Sequence, residues 1–259
     1  MGFFSRNLSK KNRMLNVGCG SSYHTDWINL DINTPFEDVI DCDITQGLPI
    51  ESGSVDAVYS SHVLEHFKPK QLENVMKEIN RVLKPNGILR LVVPDLEEIA
   101  MKYLQALQEV RKSNTPQNNA NYDWMMLELY DQTVRTYGGG KMGEYLGQKE
   151  ILNKEFIVER IGFEAENYWK NTMPNFVEVD HSNDTIESEI AFRGSGEIHY
   201  WMYDSFSLGR VMDKYGFVNI KQCKANESSI KNFSDYKLEV INGKERKPDS
   251  LYMEGIKRI

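Results

Sequence analysis

The residues of this chain that could do chemistry sit where short apolar runs give way to polar ones. The run Met14-Leu-Asn-Val stops at Gly18-Cys19-Gly20, and a second run, Ile28 to Leu30, ends at Asp31. An apolar run halted by two glycines reads as a buried parallel strand feeding a tight turn, where a backbone without Cβ atoms lets a ligand come close. A carboxylate at the tip of the next strand is placed to accept hydrogen bonds from the two hydroxyls of a ribose. Asp38-Val-Ile-Asp-Cys-Asp43-Ile44 is a third such transition. Asp43 could accept from an adenine amine while Ile44 covers the ring, or it could simply begin the turn Thr45-Gln-Gly-Leu-Pro.

Which nucleoside these residues suit follows from the spacing. A dinucleotide fingerprint needs a third glycine opening a helix whose N-terminus faces a pyrophosphate. Here Tyr23 holds that position, and only Ser21 to Trp27 separates the turn from the next strand, too few residues for a full helix. A ligand without a diphosphate, such as S-adenosylmethionine, suits the turn better than NAD.

The elements that must position these groups follow in order. Ser54 to Ser60 is a strand running into Ser61-His62-Val-Leu-Glu65-His66-Phe67. Lys68 to Lys84 carries apolar residues at helical spacing and stops at Pro85-Asn86-Gly87, Ile88 to Val93 is a buried strand, and Asp95 is set to cap a helix reaching about Gln108. Near the end, Asp204 or Ser205 caps a helix from Phe206 to Lys214. Two further strands, Phe217 to Gln222 and Ser250 to Lys257, are joined by a hairpin-like connection through Gly243 and Pro248. In a doubly wound α/β sheet the strand ends share one edge, so Gly18, Asp31, Asp43 and the stretch from Ser60 to His62 would line one crevice.

Between these parts, Ser113 to about Glu197 is too long for a plain loop and has helical stretches of its own. The chain thus divides into residues 1–112 and 198–259, which make the sheet, and 113–197, a mainly helical insertion expected to close over the crevice as a lid. A polar stretch, Ser113 to Asn121, precedes a helix from Tyr122 to Arg135. On that helix Met125, Leu129 and Val134 can pack, while Trp124, Glu128, Asp131, Gln132 and Arg135 share a second face. That face is either an acceptor-binding stripe or merely solvated. Pro174 to Arg193 reads as acidic and irregular.

Composition excludes several classes. A net charge of −7 argues against a surface that tracks nucleic-acid phosphates. No apolar run approaches a membrane span, and no signal peptide opens the chain. Cys19, Cys42 and Cys223 are scattered, which indicates neither a disulfide framework nor a zinc site, names no metal ligands, and fits a reducing cytoplasm. Met1 to Arg13, with Phe3, Phe4 and several basic residues, reads as a frayed terminus.

Taken together, Leu15-Asn-Val-Gly-Cys-Gly20, Asp31, Asp43-Ile44 before Gly47-Leu-Pro, Ser60-Ser-His-Val-Leu-Glu-His66 and Arg81-Val-Leu-Lys-Pro-Asn-Gly87 resemble the class I S-adenosylmethionine-dependent methyltransferases of the type 11 group. The resemblance implies a Rossmann-like seven-stranded sheet with its last strand antiparallel and S-adenosylmethionine as cofactor. It puts Gly18, Cys19 and Gly20 under the methionine moiety, Asp31 and Ile32 at the ribose, Asp43 and Ile44 at the adenine, and Ser60 beside them. Asn16 departs from the acid common in the first strand, and the nearly absent first helix looks like a subgroup that reads Asn-x-Gly-Cys-Gly before a short loop. The segments Tyr122 to Arg135, Ser195 to Asp204 and Arg246 to Glu254 look like methyltransferases of bacterial capsule and O-antigen gene clusters.

The reaction so implied is an in-line displacement at a sulfonium methyl, and the expected partner is a small acceptor, a sugar, nucleotide sugar or phosphorylated precursor, with a homodimer allowed. For a hydroxyl acceptor the base candidates are His62 and His199, with Tyr200, Trp201 and Tyr203 joining the acceptor site. His66 reads as a helix-start histidine packed on Phe67. For an anionic acceptor, Arg135, helped by Lys141 or Arg193, would orient it. A small metabolite such as a quinone or amino acid, or a cofactor-binding protein without transferase activity, are the competing expectations.

Overall fold

The computed structural model describes residues 13–172 and 185–259, so the basic terminus and the first part of the acidic segment after Pro174 lie outside the described residues. Strands β1 (Met14–Val17), β2 (Ile28–Asp31), β3 (Val39–Asp41), β4 (Val55–Ser61) and β5 (Leu83–Pro94) are parallel neighbours in the order β3-β2-β1-β4-β5. The sheet is completed by β9 (Ser250–Lys257), antiparallel to β5, and then by β6 (Phe217–Cys223). This is the expected seven-stranded sheet with the last strand reversed. The order turns round between β1 and β4, the position beyond whose carboxyl ends doubly wound sheets bind their ligands.

Alternation along the strands builds two cores. Leu15, Val17, Val58, Leu89, Leu91 and Val93 face helices α1 (Pro69–Val82) and α8 (Ser205–Lys214), meeting Val75, Ile79 and Leu208. Met14, Ala57, Tyr59 and Val92 face the other way, against Trp27, Ile230, Phe233 and Leu238. Arg90 interrupts that second face, fully buried, with its guanidinium on Glu239 and Glu254 and on the carbonyls of Lys224 and Glu227. A hairpin of β7 (Val240–Ile241) and β8 (Lys244–Glu245), turning through Asn242 and Gly243 in left-handed backbone, leads back to β9.

The helical layer differs from expectation in detail. Helix α2 (Leu96–Lys112), capped by Asp95 as expected, runs about one turn longer, and α3 (Pro116–Val134) begins well before Tyr122. Thr115 caps α3 and Pro116 takes its first position, where a missing N–H costs nothing, so only Ser113 to Thr115 separate the two helices and the rest of the polar stretch belongs to α3. Then come α4 (Gly140–Leu146), α5 (Lys154–Ile161) and α6 (Phe163–Asn167), with α7 (Ile186–Arg193) where irregular chain was expected. Ile99 and Ala106 of α2, Trp124 and Met125 of α3, Leu146, Ile157, Ile161 and Ala165 form a third core.

This layer is anchored to the sheet by a close backbone approach. Gly162, between α5 and α6, has φ +53°, and a Cβ there would lie 2.7 Å from Pro248 Cδ and 2.8 Å from the Arg246 carbonyl oxygen. Lys247 adds an ion pair to Glu164 at 2.9 Å. Gly162→Ala combines a disfavoured backbone with a clash and should cost at least about 2 kcal/mol, read as a lower midpoint in thermal or urea unfolding.

Candidate active site at the carboxyl ends of the strands

Sequence folds the glycine turn through its own backbone. Gly18 and Gly20 take φ of +69° and +51°, and the Gly18 and Cys19 N–H groups both donate to the Leu30 carbonyl, at 2.9 and 3.1 Å. No helix lies between β1 and β2, as the short connection requires. Asn16 explains its departure from an acid: buried, it donates Nδ2 to the Ser22 carbonyl at 3.1 Å and closes the turn, which a carboxylate could not do.

Asp31 and the turn are joined directly. The Gly20 N–H donates to Asp31 Oδ2, and the Ile32 N–H donates to Oδ1 at 2.7 Å. Each oxygen keeps a lone pair for a ligand hydroxyl. Ile32 is 55% exposed beside it. Asp43 does what the simpler of its two readings expected, capping a short turn at Ile44–Gln46 by accepting from the Thr45 N–H and hydroxyl at 3.0 and 2.7 Å. Its side chain remains exposed, while Ile44 is buried in the main core. Cys19 is buried, and desolvation, with Asp31 second, pushes its thiol up to about 12. Ser60 is corrected to a structural part: fully buried, its hydroxyl donates to the Val17 carbonyl at 2.9 Å and ties β4 to β1.

At the end of β4 the chain makes a sharper feature than the sequence suggested. His62 has φ +54°, an uncommon backbone for a residue with a side chain. Its Nε2 lies 2.9 Å from Ser250 Oγ, and its Nδ1 lies 3.4 Å from Glu65 Oε1. His66 Nε2 and His199 Nε2 approach the same carboxylate oxygen at 4.0 and 3.9 Å. Glu65 is wholly enclosed, and neither of its oxygens meets a partner in hydrogen-bond geometry. Burial raises its carboxyl to about 8, against weaker opposing pulls from nearby backbone N–H groups and Lys247. Desolvation lowers His62 well below the ordinary imidazole value, His66 to about 4 and His199 to about 2, so all three imidazoles are neutral at pH 7.

His199 reaches this point because its segment is pinned on both sides. Its N–H donates to the Gln132 carbonyl at 2.9 Å, and the N–H groups of Tyr200 and Trp201 both donate to the Glu65 carbonyl, at 2.8 and 3.3 Å. His66 is likewise more than a packed helix-start residue, since its Nδ1 lies 3.1 Å from the Ile198 carbonyl oxygen and its ring meets that of His199 edge to face.

The stripe on α3 is corrected. Trp124 is fully buried and donates Nε1 to Glu128 at 2.5 Å, and Glu128 is held by Arg160 at 2.9 Å. Asp131 accepts from Arg135 at 2.6 Å and from the Lys141 N–H at 2.7 Å, fixing the start of α4. These polar groups satisfy each other inside the helical layer, and the Gln132 carbonyl accepts from the His199 N–H. Tyr203 is buried in the main core, its carbonyl accepting from Leu96 N at 2.8 Å, Tyr200 donates its hydroxyl to the Arg193 carbonyl, and Trp201 is 60% exposed. Sequence reasoning missed Glu65, Ser250 and Arg246. The signal for Glu65 was an acid enclosed by two histidines in an otherwise apolar stretch.

Arg246 Nη1 donates to Ser22 Oγ on the glycine turn, and no carboxylate among the described residues lies within ion-pair distance of it. The arrangement therefore offers a glycine turn with a carboxylate and a guanidinium beside it, and a nest of neutral imidazoles next door. The Methyltransf_11 family model, described as a methyltransferase domain, matches residues 15–91. The chain is 39% identical over 49 residues to an uncharacterized methyltransferase of Synechocystis sp., a stretch that spans 19% of this chain and 23% of that relative. A SAM-dependent methyltransferase from Archaeoglobus fulgidus aligns over 96% of this chain and 87% of its own at 12% identity and a TM-score of 0.40. One from Thermotoga maritima aligns over 97% and 84% at 13% identity and 0.41.

Two outcomes are expected from the turn. Asn16→Asp puts an acceptor against the Ser22 carbonyl and should lower unfolding stability by about 1–3 kcal/mol, measured by denaturant titration. Cys19, kept as the thiol, should stay unmodified when the native protein is alkylated at pH 8 and its peptides are mapped.

Proposed function

We propose that this chain is an S-adenosylmethionine-dependent O-methyltransferase acting on a sugar or phosphate-bearing acceptor, phosphoramidates included, during assembly of a capsule or O-antigen polysaccharide. The observation that carries the cofactor reading is the direct bond between the Gly20 N–H and Asp31, which sets the ribose-binding acid against the turn. The acceptor class is supported by the likeness of the segments around residues 122–135, 195–204 and 246–254 to methyltransferases of such gene clusters.

S-adenosylmethionine, when bound, supplies a methyl group activated by its sulfonium. Gly18 to Gly20 would lie under the methionine moiety, Asp31 would take the ribose, and exposed Asp43 would be in reach of the adenine. Arg246, already on the turn at Ser22, is suited to the methionine carboxylate or to an anionic acceptor. Arg135 gives up that role because Asp131 holds it. His62, at the strand tip and neutral, is the base for a hydroxyl acceptor, with Glu65 and Ser250 fixing its ring. His199 stands behind it. Residues 113–197 serve as a lid over the core formed by 1–112 and 198–259, excluding water from the displacement.

Release of S-adenosylhomocysteine against nucleotide sugars, sugar phosphates, phosphoramidate esters, quinones and amino acids tests this reading. Turnover confined to the first three classes is expected; turnover with a quinone or amino acid, or cofactor binding without turnover on any class including lipid-linked glycans, would overturn it. Asp31→Ala should weaken S-adenosylmethionine binding by at least about 100-fold, measured by calorimetry, and retained affinity would refute the placement of the ribose.

A further inference from the structure

We infer that Glu65, His66 and His199 form a binding site for one divalent transition-metal ion, beside the glycine turn and open to an acceptor oxygen. Three of the chain's five histidines gather on one carboxylate oxygen, Glu65 Oε1. The ligand atoms of Glu65, His66 and His199 all lie within 4.8 Å of one another. With the two nitrogens 4.0 and 3.9 Å from the oxygen, a point equidistant from all three is at most about 2.5 Å from each, against about 2.0–2.2 Å in zinc sites. Shifts of a few tenths of an ångström would complete the bonds.

The carboxylate argues for a cation independently of that spacing. Glu65 is completely buried with both oxygens lacking hydrogen-bond partners, an arrangement that costs free energy unless the group takes up a proton or a cation compensates it. Lys247 and Arg135, the basic side chains whose charge is felt at His199, are already paired with Glu164 and Asp131. His66 also has the build of a metal ligand: Nδ1 sits on the Ile198 carbonyl, which fixes the tautomer and leaves Nε2 to coordinate. The Glu65 carbonyl receives two N–H groups from the His199 segment, so the ligands are held together by backbone before any ion arrives.

Two imidazoles and one carboxylate select first-row transition ions over magnesium or calcium. His66 keeps 20% of its side chain exposed, which gives the ion a path in and a free coordination position. On the methyl-transfer reading, that position holds the acceptor oxygen and lowers the pKa of a hydroxyl, while His62 takes the proton. The binding site itself does not depend on that reading.

The test uses the whole protein, stripped with chelator and titrated with Co²⁺ alone, without S-adenosylmethionine. One equivalent should bind, with visible d–d absorption that a large excess of Mg²⁺ leaves unchanged. Glu65→Gln, His66→Ala and His199→Ala should each weaken binding at least about 100-fold, and His24→Ala should not. Because a variant could misfold, ring-nitrogen NMR of the wild type is read as well, where Co²⁺ should broaden the His66 and His199 signals. No stoichiometric uptake, or uptake that leaves those two rings unperturbed, overturns the inference. Cofactor affinity measured on the same stripped protein separates that result from failure of the methyltransferase reading.

Discussion

An enclosed carboxyl group without a hydrogen bond is the constraint around which the functional edge of this protein is arranged. Glu65 sits at the end of β4 with its side chain among His62, His66 and His199 and its own carbonyl holding the segment that returns from the helical layer. Burying a carboxyl this way is unfavourable, and the protein tolerates it because β4, the returning segment and the start of β9 are each fixed by backbone pairing.

The rest of the edge is built from groups that satisfy one another. Asp31 clasps the glycine turn, Asn16 closes it, Asp43 caps the following turn, and Ser60 locks β4 to β1. The helical layer follows the same logic, with Trp124, Glu128 and Arg160 in one network and Asp131, Arg135 and Lys141 in another. Rigid supports of this kind let a ligand site be held without the site residues themselves being the source of stability.

Legibility in the sequence followed the range of the interaction. Apolar runs named the strands and the Asp95 and Asp204 caps set helix starts, because each depends on residues within a turn or two of one another, whereas the helix expected to reach Lys84 ends at Val82 and Pro85-Asn86-Gly87 falls inside β5. The start of α3 was placed too late, at Tyr122, because the stretch before it is polar, while the Thr115 cap and Pro116 begin the helix there. The α3 stripe was misread because helical spacing says which residues share a face but not what that face meets; here it meets Arg160 and the start of α4. Arg90 inside an apolar strand is paired with Glu239 and Glu254, which come across from distant positions in the chain.

By itself, the sequence determined short buried strands, a glycine turn too short for a dinucleotide, and an acid one strand over, since apolar runs and turn chemistry are local properties of the chain; the reversed last strand was implied only by the resemblance to a known family. Only the tertiary structure decided that His62, His66 and His199 share one buried carboxylate, that Arg246 comes to the turn, and that Trp124 and Glu128 are inside. Those outcomes rest on contacts between residues far apart in the chain, fixed by how the helical layer docks on the strand ends, and no spacing along the sequence encodes them.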